Sequence, residues 1–229
     1  MDTTGSTIAS IVVALLVLAV FLRSALGMVR QSARPRGFPW LTLVLVVVIG
    51  VPSIGQYTGL PAAGDALRRE PQLTLHHGEW WRVLTSLLAQ DGGLFAAIYS
   101  LAVVAVVITL STWIQGPWLT LAIFVFSSIV LNLLALGWNA VGGGTSFASD
   151  GTMLSILAMG LVLARDRVVM ICAVIAIAGG ILLVVLADAH GIAILLGAVI
   201  GAVHGMLRRR AVASGGQSFR KPDQRAEAA

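Results

Sequence analysis

Residues 118–138 read WLTLAIFVFSSIVLNLLALGW, with no charged side chain and a tryptophan at each end. At about 1.5 Å per residue a helix of this length covers roughly 30 Å, the thickness of a bilayer's hydrocarbon core. Tryptophan is enriched at membrane–water interfaces, so Trp118 and Trp138 mark the two ends of one crossing. The rest of the chain has the same character. Of 229 residues 58% are hydrophobic and 11% charged, against about 45–50% and 25% in soluble domains. So little charge cannot clothe a soluble globule, and such hydrophobicity excludes a disordered chain. The single cysteine, Cys172, rules out a disulfide framework and a cysteine metal cluster. Neither a metal nor a cofactor is expected.

Six further runs flank this one. Thr7 to Leu22 is closed by Arg23, Arg30, Arg34 and Arg36; its leading MDTTGST lacks the basic residue of a signal peptide. Phe38 to about Gln56 and about Leu84 to Leu110 precede the quoted span. After it come a run from Asp150 to the turn Arg165-Asp166-Arg167, then Val168 to Leu186, then about Gly191 to Leu207, stopped by Arg208, Arg209 and Arg210. The expectation is an all-α membrane protein of seven transmembrane helices.

The arginines test the count. With the N-terminus outside and the C-terminus inside, Arg23, Arg30, Arg34, Arg36, Arg165, Arg167, Arg208, Arg209, Arg210, Arg220, Lys221 and Arg225 fall inside. Arg68, Arg69 and Arg82 fall outside. Twelve of the 15 basic residues on one side is the cytoplasmic bias of multi-pass proteins, and one span more or fewer would scatter it. The net charge of +5 therefore calls for no nucleic acid. The basic C-terminal cluster should favour an anionic inner leaflet. Three segments are expected: 1–37, an N-terminal span with a basic cytoplasmic linker; 38–210, a six-helix core; and 211–229, a disordered cytoplasmic tail. Abundant Ala, Gly, Val, Leu and Arg with a single Lys suggests a high-GC bacterial genome, and so a bacterial plasma membrane.

Ionisable groups at membrane depth are functional candidates by default. Asp91, Asp150, Asp188 and His190 all come to the outer ends of spans in this topology. Asp150 opens the fifth span and His190 the seventh, so both lie on one side of the membrane. Ser149 or Asp150 could simply cap its helix, and His190 alone could be a packing histidine. In the seventh span Ala193, Gly197, Gly201 and Gly205 recur every four residues, the ladder that lets helix backbones approach closely in lipid.

With these residues the chain resembles the rhomboid family of intramembrane serine proteases. Gly78-Glu79-Trp80-Trp81-Arg82-Val83-Leu84-Thr85 is similar to the family's tryptophan–arginine stretch. Ser149-Asp150-Gly151 falls where the G-x-S-G nucleophile motif would lie. Ala189-His190 followed by Ala193 and Gly197 matches the helix that supplies the catalytic histidine. The resemblance covers residues 38–207 and implies a six-helix core with one added N-terminal span. It also marks departures: Asp150 stands at the nucleophile position, and Tyr99 or Ser100 at that of an oxyanion-hole asparagine. Asp150 is then expected to pair with His190.

Three readings follow from the sequence. The leading one is a degenerate, non-catalytic rhomboid-like protein that binds transmembrane segments of partner proteins, as an accessory or stabilising subunit of a larger membrane complex such as a transporter. An alternative is an active intramembrane serine protease with a Ser149/His190 dyad, Ser146, Thr152 and Ser155 being further hydroxyls. A third is a small-solute transporter, against which the spans show no inverted repeat and no matched pair of interruptions.

Overall fold

The computed structural model describes residues 3–31, 37–138, 140–163 and 166–218. These form ten α-helices: α1 (Thr3–Gln31), α2 (Trp40–Thr58), α3 (Pro61–Leu67), α4 (Pro71–His76), α5 (Arg82–Thr85), α6 (Gly93–Gln115), α7 (Pro117–Gly137), α8 (Ser146–Leu163), α9 (Arg167–Val185) and α10 (Ala189–Ser218). Among the described residues, α1, α2, α6, α7, α8, α9 and α10 are the seven helices long and apolar enough to cross a membrane. The chain is an all-α multi-pass membrane protein.

Local chemistry sets several helix ends. Gly116, at φ +97°, caps α6, and Pro117 opens α7 at the position where a missing N–H costs nothing. Asp166 caps α9 by accepting the Val168 N–H at 2.8 Å.

The bundle is built around α8, in which every residue from Ala148 to Gly160 is buried. It packs against α1, α6, α7, α9 and α10, most extensively against α10. A Cβ placed on Gly197 would meet the backbone of Gly151, and one on Gly201 the backbone of Ser155. The glycine ladder of α10 is thus where the two helices approach most closely. The apolar core joins Val17 and Phe21 of α1 to Leu154 and Leu157 of α8 and Ala173 and Ala176 of α9.

The structure differs from the sequence expectations in places. α1 continues past Arg23 to Gln31, because two arginines do not interrupt helix-forming residues. The third crossing starts at Gly93 rather than Leu84. The tryptophan–arginine stretch instead forms α5 and a 3-10 turn, Ser86–Leu88, beside the bundle. There Arg82 is buried; its guanidinium pairs with Glu79 at 2.5 Å and donates to the carbonyls of Asp65 and Arg68, while Trp80 and Trp81 remain exposed. α8 begins at Ser146, four residues before Asp150. α10 runs to Ser218, into the segment expected to be a disordered tail. The basic linker at 32–36, Arg165, and Arg220, Lys221 and Arg225 lie outside the described residues.

Candidate functional site

The loop that delivers α8 is held from two sides. Arg69 and Gly142 exchange backbone hydrogen bonds of 2.8 and 3.1 Å. The Arg69 guanidinium donates to the Ala140 carbonyl at 2.8 Å and to the Asn132 side chain. The Gly143 N–H bonds the Asp91 carboxylate at 2.8 Å. Gly143 has no room for a side chain, since a Cβ would stand 2.8 Å from the Ala89 carbonyl oxygen. Ser146 then opens the helix, so the N–H groups of its first turn have no intrahelical acceptor.

The second half of the site is the junction of α9 and α10. Ala187 adopts the left-handed conformation at φ +59°. Its N–H bonds the Val184 carbonyl at 3.0 Å, and the Asp188 N–H bonds that of Leu183 at 2.8 Å. This pair of bonds closes α9 as a Schellman motif. Asp188 then caps α10, its Oδ1 accepting the backbone N–H of His190 at 2.9 Å. The same Oδ1 lies 2.6 Å from His190 Nδ1, and Oδ2 accepts the hydroxyl of Ser10 from α1. Burial pushes the Asp188 carboxyl up. Hydrogen bonds from the His190 ring, Ser10 and the His190 N–H outweigh that effect and hold it well below the usual carboxylate range.

An ionised carboxylate only accepts, so His190 Nδ1 carries a proton, and in the neutral ring Nε2 is then the acceptor. Nε2 lies 3.0 Å from the Ser146 hydroxyl. The result is a continuous chain, Ser146–His190–Asp188. The Phe147 ring packs against the imidazole at 5.0 Å between centroids.

Ser146 and His190 line a partly enclosed cavity of about 100 Å³, bordered also by Tyr99 and Ser100 of α6 and by Ala14 and Leu18 of α1. The structure brings together five of the residues singled out in sequence, Tyr99, Ser100, Ser149, Asp150 and His190, whereas the hydroxyls of Thr152 and Ser155 donate to carbonyls of their own helix. It pairs them differently. Both ring nitrogens of His190 are engaged, so neither Ser149 nor Asp150 is its hydrogen-bond partner. The Ser149 hydroxyl is buried with no hydrogen-bond partner, and Asp150 is a buried wall of the cavity. The carboxylate hydrogen-bonded to His190 is Asp188 rather than Asp150, because a capping aspartate faces the first turn of the helix it caps; Asp150 acts on the imidazole only through its charge.

Sequence reasoning placed Asp188 correctly at a span end but gave it no role. A D-x-H pattern at a helix start was the signal. Ser146, one of the further hydroxyls of the sequence, lies four residues before Asp150 and so on the same helix face, which becomes visible once the helix is started one turn earlier. Comparison with models of known families and with curated proteins finds no match to this chain.

Proposed function

We propose that this chain is a rhomboid-like intramembrane serine hydrolase, acting on membrane-embedded segments of other proteins, with Ser146 as nucleophile, His190 as general base and Asp188 as the group that orients it. The observation that carries this reading is the hydrogen-bonded order Ser146–His190–Asp188, with Nε2 3.0 Å from the hydroxyl. A nucleophile within reach of a base, itself held by a third group, is the signature of an activated serine. Sequence alone favours a non-catalytic protein because Asp150 stands at the expected nucleophile position; geometry supplies a hydroxyl one turn away.

In the reaction His190 Nε2 takes the Ser146 proton as Oγ attacks the scissile carbonyl carbon. The proton then passes to the leaving amide nitrogen as the C–N bond breaks, leaving an ester on Ser146. Water, deprotonated by His190, releases the acid and restores the serine. The candidate oxyanion donors are the backbone N–H groups of Ser146, Phe147 and Ala148 at the start of α8 and the hydroxyls of Tyr99 and Ser100, which line the cavity.

One observation favours a second reading. The buried Asp150 carboxyl borders the same cavity, where a negative charge would oppose an oxyanion. On that reading the site binds a partner's transmembrane helix without cutting it, and the protein is an accessory subunit of a bacterial plasma-membrane complex. In both readings Arg208, Arg209 and Arg210, at the far end of α10 from His190, rest against anionic inner-leaflet lipid. Fluorophosphonate labelling of the purified protein separates them. The hydrolase predicts labelling that survives Ser149→Ala and is lost in Ser146→Ala and His190→Ala. Absence of labelling from folded wild-type protein, with a stoichiometric membrane partner co-purifying, selects the accessory subunit.

A further inference from the structure

Resting on the reading that a transmembrane segment reaches this site, we propose that α1 is a displaceable plug, occupying the place on α8 that a partner's transmembrane helix takes. The cavity is too small as it stands: about 100 Å³, against about 300–1,000 Å³ for pockets that enclose even drug-sized ligands. A peptide segment can be admitted only if a wall moves. Four of the neighbours of α8, namely α6, α7, α9 and α10, belong to the core, and α1 is the fifth.

α1 is suited to leave. It packs on α6, α8 and α9 at once through Val13, Val17, Phe21 and Ala25, a plain aliphatic and aromatic stripe. Apolar helices gain no hydrophobic energy from each other in lipid, so exchanging one apolar stripe for another is nearly neutral. Ser24, buried in the same stripe, has a hydroxyl without a hydrogen-bond partner. At the site end Ser10 bonds the carboxylate that holds His190, so α1 is latched to the catalytic chain itself. α1 thus shows that the core accepts a transmembrane helix on this side, and a partner helix with a hydroxyl or amide near its outer end could replace each contact that it makes.

The test locks α1 in place. A Cβ on Gly179 of α9 would stand 3.0 Å from a terminal carbon of Val13, near the geometry of a disulfide. Val13→Cys with Gly179→Cys, in a Cys172→Ala background, is placed in lipid nanodiscs with a photoleucine-bearing transmembrane peptide of about 20 Leu and Ala residues that carries one Ser near its outer end. We expect oxidation to cut photo-crosslinking of the peptide to the chain at least tenfold, dithiothreitol to restore it, and labelling by a small fluorophosphonate to stay equal in both states. Equal crosslinking with and without the lock, or none in either state, overturns the plug. Lock-sensitive crosslinking without fluorophosphonate labelling supports the plug and removes the hydrolase reading. Ser10→Ala provides a second route that needs no disulfide: releasing the latch should raise crosslinking severalfold, and an unchanged or lower level counts against the proposal.

Discussion

Asp188 has three tasks on two oxygens. It caps α10, fixes the tautomer of His190 and receives the Ser10 hydroxyl. Asp188→Asn separates them, because asparagine caps a helix about as well as aspartate but presents no charge. Hydrolysis should fall by up to about 10⁴-fold, the scale seen when the orienting carboxylate of a serine triad is made neutral, while the helix content is kept. The variant should also change the acid limb of stability. A carboxyl held lower in the folded than in the unfolded chain contributes stability that is complete above its unfolded value of about 3.9 and is lost as pH falls below it. Thermal melts in detergent should show wild-type losing stability below about pH 4 relative to Asp188→Asn, and parallel curves would contradict the depressed Asp188. His190 was legible in the sequence, since a histidine at a span start has few neighbours. Its partners were not, because they depend on where two helices begin. A helix begun at Asp150, one turn late, presents Ser149 and Asp150 to His190 in place of Ser146.

Crossings were legible as elements because each is a long apolar run with few charges, as a bilayer requires. The stretch between α2 and α6 was not. α3, α4 and α5 are too short to show a period, and Arg82 ties α5 to α3 by donating to carbonyls that no sequence pattern announces. The glycine ladder of α10 was readable as packing, and the structure adds its partner, the backbone of α8. Gly201→Ala must force the two helices apart and should cost about 1–3 kcal/mol, as overpacking does elsewhere. Gly27→Ala in α1, with open space around it, should be neutral or gain up to about 1 kcal/mol from helix propensity. Equal melting shifts for the two would show that the close approach of α8 and α10 is not what the glycines provide.

The whole molecule carries its chemistry at one end of the bundle and its arginine cluster at the other, as the charge bias predicts for a site on the outer face. In a Cys172→Ala background, His77→Cys, exposed beside the site end, should react with a membrane-impermeant maleimide on intact cells. Arg209→Cys, exposed at the opposite end, should react only after permeabilisation. The reverse pattern would turn the protein over and place the site in the cytoplasm. Composition and charge made the seven-helix plan legible before any coordinate. The seating of α1 across α6, α8 and α9 was not, because an all-apolar helix gives no preference for one apolar neighbour over another.

The central claim is that Ser146 is the hydroxyl His190 serves. Mass spectrometry of the wild-type protein after reaction with a fluorophosphonate, digested and mapped residue by residue, tests it most directly. The predicted result is one adduct, on Ser146. An adduct on Ser149 or on any other residue, or an unmodified Ser146 in folded protein, would contradict it.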